Sequence, residues 1–263
     1  MACPAGWRNA PPHTMKTRSG SVLLDRQRLL GVVGGMVLLL LACAVYWAHL
    51  LGDQSDRLQS TENQTRLRAV QMSATLASQV STLVSGLEYL AHSLATTYEA
   101  DPENAFPLAV RTALQTFSGG SIVQVAVADA SGRLTYSSLS EPRRPEVRTV
   151  FIADRAHFLA HTQGGPARLF ISAPVRGRVS GQWSIQFSYP IQQQGQFGGV
   201  VVLSIAPDYI AGGFSELFGA SSDVALLVRG DGSYLARSHR LGEVLGKVVP
   251  PNHAFLSDPQ TAQ

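Results

Sequence analysis

The chain has 263 residues, 45% apolar and 15% charged, which gives room for a membrane segment plus one or two domains and excludes a disordered chain. The net charge of +3 comes from arginines scattered among acids, not from a basic stripe interleaved with aromatics, so no nucleic-acid partner is expected. Cys3 and Cys43 both precede the soluble region, which excludes a disulfide framework or a cysteine zinc site there.

Residues 1–28 form a basic arm, with Arg8, Lys16, Arg18, Arg26 and Arg28 against Asp25. From Leu29 to Leu51 there is no Asp, Glu, Lys or Arg. About 20 such residues cross the hydrocarbon core as a helix. Tyr46, Trp47 and His49 sit near one end, where amphipathic rings favour the interface. The positive-inside rule keeps the arm in the cytoplasm and places the chain after Gly52 outside. A cleaved signal peptide has a shorter apolar region than this one. A lipoprotein cut before Cys43 is the competing reading, but the apolar run continues past that cysteine. Gly31 and Gly35 form a GxxxG pair, which either lets two helices approach or reflects ordinary glycine tolerance.

Residues 53–100 predict a long extracytoplasmic helix. Leu76, Val80, Leu83, Leu87, Leu90 and Leu94 recur at alternating spacings of four and three, one stripe on one helix face. That stripe packs on the domain behind it, or along other turns pairs with a second subunit, hence the expectation of a homodimer. Asp101-Pro102 ends the helix, with Asp101 placed to cap the next, over about 102–117.

Two stretches, "IVQVAVADASGRLTYSS" from Ile122 and "VALLVRGDGSYLARS" from Val224, each read as strand, Asp/Gly turn, strand. Their turn glycines, Gly132 and Gly232, lie 100 positions apart, so one structural unit is expected twice. After the first hairpin come a proline-broken loop, a short helix near Asp154–His161, and three strand-like runs: Leu169–Val175, Gln182–Ile191 and Gly198–Ala206. An α+β fold follows, with a five-stranded antiparallel sheet and helices on one face. A helix from Pro207 leads into a second unit that stops at Gln263 short of its remaining strands, so the chain reads as a fragment of a longer protein.

The succession "DRAHF", "FISAPVRGRVSGQW", "GGVVVLSIAPDYI" and "DGSYLARS" resembles the double Cache family, paired PAS-like extracytoplasmic sensor domains of bacterial membrane receptors. The resemblance covers about residues 53–250. It implies a membrane-distal PAS-like module over 101–206 and a partial second module over 207–263. It also implies a cell inner membrane location with the bulk of the chain periplasmic, and a further membrane helix leading to a cytoplasmic output domain, a diguanylate cyclase or histidine kinase. Some family members hold amino acids through Arg-x-Trp-Tyr and a later aspartate. Arg155, His157 and Phe158 fall on the first motif, with His for Trp and Phe for Tyr, and Ser204 stands where the aspartate is expected. The carboxylate-binding half of that site is thus retained and its ammonium partner is not.

The candidate ligand residues are Arg155, His157, Arg178, Trp183, Gln186, Tyr136 and Ser204. A guanidinium grips carboxylates with paired hydrogen bonds, and a histidine can donate to an anion. Asp154 is read as a helix cap. By alternation Trp183, Ile185 and Phe187 share one strand face, and Gln182, Ser184, Gln186 and Ser188 the other. Asp154, His157 and His161 have helical spacing that could hold a metal with outside help, but no HExxH or cysteine cluster accompanies them, so no metal or cofactor is expected. No nucleophile elbow or phosphate loop is present either, so the chain reads as a non-enzymatic sensor of a small molecule, an anion such as a carboxylate. The alternative is a membrane-tethered or lipoprotein solute-binding protein acting alone.

Overall fold

The computed structural model describes residues 21–117, 120–140, 150–218 and 223–252, with the side chains of 21–25, 27 and 52–59 left aside. Arg8, Lys16 and Arg18 of the arm, the basic loop of Arg143, Arg144 and Arg148, and residues 253–263 lie outside them. The chain divides into two units, residues 1–71 and 72–263. In the first, the described chain is helix alone, and Arg28–Leu51 is long and apolar enough to cross a membrane. That helix, α1, is continuous from Ser21 to Ala100, joining what the sequence suggested as two elements.

The second unit is built around an antiparallel sheet. Its strands are β1 (Ile122–Asp129), β2 (Leu134–Ser137), β3 (Phe170–Ile171), β4 (Val175–Arg176), β5 (Trp183–Gln193) and β6 (Gln196–Ile205). The order is β2-β1-β6-β5-β3, with β4 also paired to β5. The run expected as one strand over Leu169–Val175 is therefore two. Pro174 has no N–H to give a ladder. Just before it the Ser172 hydroxyl accepts from Gln186 N at 3.0 Å, while Ser172 N donates to Gln186 O.

Side chains alternate across a strand, and here the alternation divides two cores. Val125, Val127, Ile185, Phe187, Val201, Leu203 and Ile205 face one side. Against them pack Leu87, Ala91, Leu94 and Ala95 of α1, Phe106 and Val110 of α2 (Ala105–Thr116), and Ile210 and Phe214 of α4 (Pro207–Phe218). Leu87 and Leu94 are 0% and 1% exposed, while Leu76, Val80, Leu83 and Leu90 are half-buried against the same core. Burying a side chain of this size contributes about 1.5–3 kcal/mol. The opposite face carries Ala126, Ala128, Val200 and Val202, small enough to admit Phe158 of a third helix, α3 (Ala156–Thr162), and Ile152 before it. The sequence reading places the helices on one face of the sheet; α3 on the opposite face corrects it.

Asp101 does not cap α2. Its Oδ1 accepts from Asn104 N at 3.0 Å and Glu103 N at 3.3 Å, shaping the turn before a helix that starts only at Ala105.

The expected repeat is present bond for bond. In the first hairpin Ala126 pairs with Ser137, Val127 with Tyr136 and, after a bulge, Ala128 with Leu134. In the second, β7 (Leu226–Val228) and β8 (Tyr234–Arg237) pair Leu226 with Arg237, Leu227 with Ala236 and, after the same bulge, Val228 with Tyr234. Ser138 N donates to Val125 O and its hydroxyl accepts from Val125 N; Ser238 does both with Ala225. The turn residues Gly132 (φ 81°) and Gly232 (φ 86°) take the left-handed conformation that glycine tolerates. At Gly132 a Cβ would also lie 2.7 Å from Ala153.

Leu94→Ala should lower stability by about 2–5 kcal/mol through the cavity it leaves. Leu108→Ala, on the exposed side of α2, should stay within about 0.5 kcal/mol. Urea midpoints followed by tryptophan fluorescence on the detergent-solubilised chain test this, and equal midpoints for the two variants contradict the packing described.

Candidate functional site: a cavity on the helix-poor face

The second face of the sheet holds an unusual density of buried polar side chains: Gln124, Ser137, Ser184, Gln186, Ser188 and Ser204. Strand register explains why they meet. Gln124 on β1 is directly opposite Ser204 on β6, which is directly opposite Gln186 on β5. They form one row across three strands. Buried polar groups need partners, and these have them. Ser204 Oγ donates to Gln186 Oε1 at 2.7 Å, Gln186 Nε2 donates to Ser184 Oγ at 2.8 Å, and Gln124 Nε2 donates to Ser137 Oγ at 2.8 Å. The network fixes both amides as a rigid polar floor.

Above this floor lies a cleft with an empty volume of about 430 Å³, the open solvent at its mouth included. Its walls are the start of α3 and the segment before it, with Val150, Ile152, Arg155 and His157, and β4 with the loop after it, residues 175–179. Arg155 is the last residue before α3 and is still extended (φ −87°, ψ 139°). Its side chain makes no hydrogen bond or ion pair within the described chain. His157 follows in the first turn, buried. Burial first, and then the Arg155 charge, hold its imidazole down at about 4, so it is neutral near pH 7.

The mouth is bridged by Arg178. Its guanidinium donates to both Asp154 oxygens, at 2.8 and 2.6 Å, and to the Phe151 carbonyl. Asp154 was expected to cap α3. Instead α3 has no side-chain cap, and the carboxylate turns across to Arg178, whose hydrogen bonds hold its pKa below the ordinary carboxylate value. The loop that carries Arg178 is a tight turn closed by Gly177 N to Gln182 O and Gly181 N to Gly177 O, with Gly181 at φ 68°.

Arg155, His157, Arg178, Gln186 and Ser204 therefore line one cavity, and Trp183 and Tyr136 do not. Trp183 is on the face of Ile185, with Arg176 over its ring at 5.8 Å and Gly246 so close that a Cβ there would lie 2.8 Å from it. Tyr136 packs edge-on against Phe106, ring centroids 4.9 Å apart, in the α1-side core. Gln124 and Arg176 also line the cavity and are not among the named candidates; Arg176 stands in the "PVRGRVSGQW" run, and Gln124 had drawn no notice. The one signal of Gln124 is a lone amide in an otherwise apolar strand, in step with Ala126 and Ala128. Asp154, His157 and His161 do not converge: His161 is bonded to Ser188 at 2.9 Å, and among the described residues no three His, Cys, Asp or Glu could share a metal.

The His157 shift fixes a pH dependence. Its folded pKa lies below the ordinary 6.5, so between about 6.5 and 4 the unfolded chain binds more protons. Stability is full above that window and falls as the pH drops through it, by up to roughly 3 kcal/mol from this residue. Burial lowers His161 in the same direction. His157→Phe should flatten the acid limb of urea midpoints measured from pH 7 to 4, and an unaltered limb would rule His157 out as its source.

No protein-family description and no curated protein matches the sequence. Solved structures do. The extracellular domain of rpHK1S-Z16, assigned as a histidine kinase, superposes with a TM-score of 0.62 at 23% identity, over 72% of this chain and 76% of that one. The ligand-binding domain of the Pseudomonas fluorescens chemoreceptor CtaA, in complex with L-valine, gives 0.52 at 18% identity, over 68% and 75%. That of the Campylobacter jejuni chemoreceptor Tlp3, in complex with 4-methylisoleucine, gives 0.52 at 14% identity, over 70% and 73%. The chain has the Cache-type fold of extracellular sensor domains from histidine kinases and chemoreceptors.

Proposed function

We propose that the chain is the extracytoplasmic sensing portion of a bacterial transmembrane receptor, anchored in the inner membrane by Arg28–Leu51, and that the cavity beneath Arg178 binds a small anion. The observation that carries the ligand class is the charge of the lining. Arg155, Arg176, Arg178 and His157 surround the cavity, and among the described residues no Asp or Glu lines it. A low-dielectric cleft lined by one sign of charge concentrates the opposite sign. The relatives CtaA and Tlp3 are seen with amino-acid ligands; here Ser204, bonded to Gln186, stands where an ammonium would need a carboxylate.

Signal transfer in this reading uses the floor. Gln186 alternates along β5 with Ile185 and Phe187, which pack on the same core as α1. Glu99 at the end of α1 accepts from Gln192 N, at 2.6 Å, further along β5. A ligand that draws on Gln186 biases the seating of α1, provided its affinity differs between the two states. The receptor acts as a homodimer through turns of α1 outside the core, where Leu67 and Val70 are exposed. The output belongs to a cytoplasmic domain of the histidine-kinase or chemoreceptor kind; the cyclase expectation draws no support from the three neighbours above.

Thermal-shift measurements on the detergent-solubilised chain across short-chain carboxylates should show a concentration-dependent rise in Tm. Arg155→Ala should abolish it, a loss of affinity of at least about tenfold. An unchanged response in that variant removes the cavity from the reading. A topology reporter fused after Arg237 should be active only outside the cytoplasm, and activity only in the cytosol would overturn the anchored orientation.

A further inference from the structure

The three guanidiniums of the cavity are not equivalent. Arg176 lies over the Trp183 ring at 5.8 Å. Arg178 is held bidentately by Asp154. Arg155 has no hydrogen-bonding or ion-pair partner within the described chain, although it lines the cavity beside a neutral His157. Of the three, Arg155 alone has no hydrogen-bond, ion-pair or ring contact among the described residues, and Arg178 alone has its donors taken by a carboxylate. Much of the remaining lining is apolar, including Ala126, Leu134, Val150, Ile152 and Val202.

We propose that Asp154 determines the ligand class of this cavity: by occupying Arg178 it withholds that guanidinium from a second anionic group and leaves Arg155 as the lining guanidinium with no hydrogen-bond, ion-pair or ring contact among the described residues, so that the site takes a small monoanion with an apolar body and no ammonium group, and disfavours dianions. The proposal rests on the cavity being the ligand site. Its logic is charge matching at close range. A monocarboxylate satisfies Arg155 with paired hydrogen bonds and lays its chain against the apolar wall. A second carboxylate would either sit unpaired among valines and isoleucine or have to displace Asp154 from Arg178. An ammonium would face three arginines and, among the described lining residues, no acid. Asp154 is well suited to this role because it contributes little to the fold: the pair is exposed, with Arg178 at 36% and Asp154 at 65%, and exposed pairs add little stability.

The test uses three ligands on one four-carbon chain: butyrate, succinate with its second carboxylate, and L-2-aminobutyrate with its added ammonium. Titration calorimetry on the full chain in detergent should show butyrate binding tightest, with the other two weaker by about tenfold or more, the size of one charge-assisted hydrogen bond. In Asp154→Asn, succinate should gain about tenfold while butyrate changes by less than about twofold. Adding Arg178→Gln to Asp154→Asn should erase that gain, which a general loosening of the mouth would not do. A succinate affinity unmoved by Asp154→Asn overturns the proposal and leaves the anion reading standing. L-2-Aminobutyrate as the tightest ligand overturns both, as does binding of none of the three to the wild-type chain.

Discussion

The seating of Leu87, Ala91 and Leu94 of α1 on the Val125–Val201–Leu203 face of the sheet is the interaction on which the rest depends. A strand has two faces and no choice about alternating between them. Once α1 takes the odd-numbered residues of β5, β6 and, from Val125 on, β1, the even-numbered ones from Gln124 on are committed to the other side. There Gln124, Gln186 and Ser204 line up by register alone. The cavity floor is thus a consequence of where the helix sits, and it cannot be shifted by one residue without turning the valines into the cleft.

That floor would be destabilising if it were merely polar. A buried amide without partners costs about 1–3 kcal/mol. The chain of bonds through Ser204, Gln186 and Ser184, and the separate Gln124–Ser137 pair, removes that cost and holds the amides still. The walls are arranged differently. Their charges come from the segment leading into α3, and from β4 and the glycine-bearing loop after it, tied across the mouth by the exposed Asp154–Arg178 pair. A rigid base and a weakly fastened rim suit the ligand-binding role proposed above.

Much of this was legible in the sequence. The apolar span, the leucine stripe, both hairpins and the alternation of β5 follow from periodicity, which local physics dictates. Arg155, His157, Arg178, Gln186 and Ser204 could be named as ligand candidates and do line one cavity. What could not be read is long-range register. Gln124 meets Ser204 and Gln186 only once β1 is known to pair with β6, and nothing within "IVQVAVAD" encodes that. Trp183 and Tyr136 were named for their chemistry, yet their side chains point to the helix side. Asp154 looked like a cap because helix starts favour aspartate. Its actual partner, Arg178, is remote in sequence, and a bidentate guanidinium outcompetes a cap.

The two hairpins share their backbone bonds at an offset of 100 residues, through Ser138 and Ser238 and through Gly132 and Gly232. Positions between these anchors are not constrained by them. Ser137, which receives the Gln124 amide, corresponds to Arg237, and Leu134 of the cavity wall to Tyr234. The duplicated cassette thus keeps its scaffold in a few hydroxyls and glycines and leaves its chemistry free to diverge, so each copy can acquire a separate role without relearning how to fold.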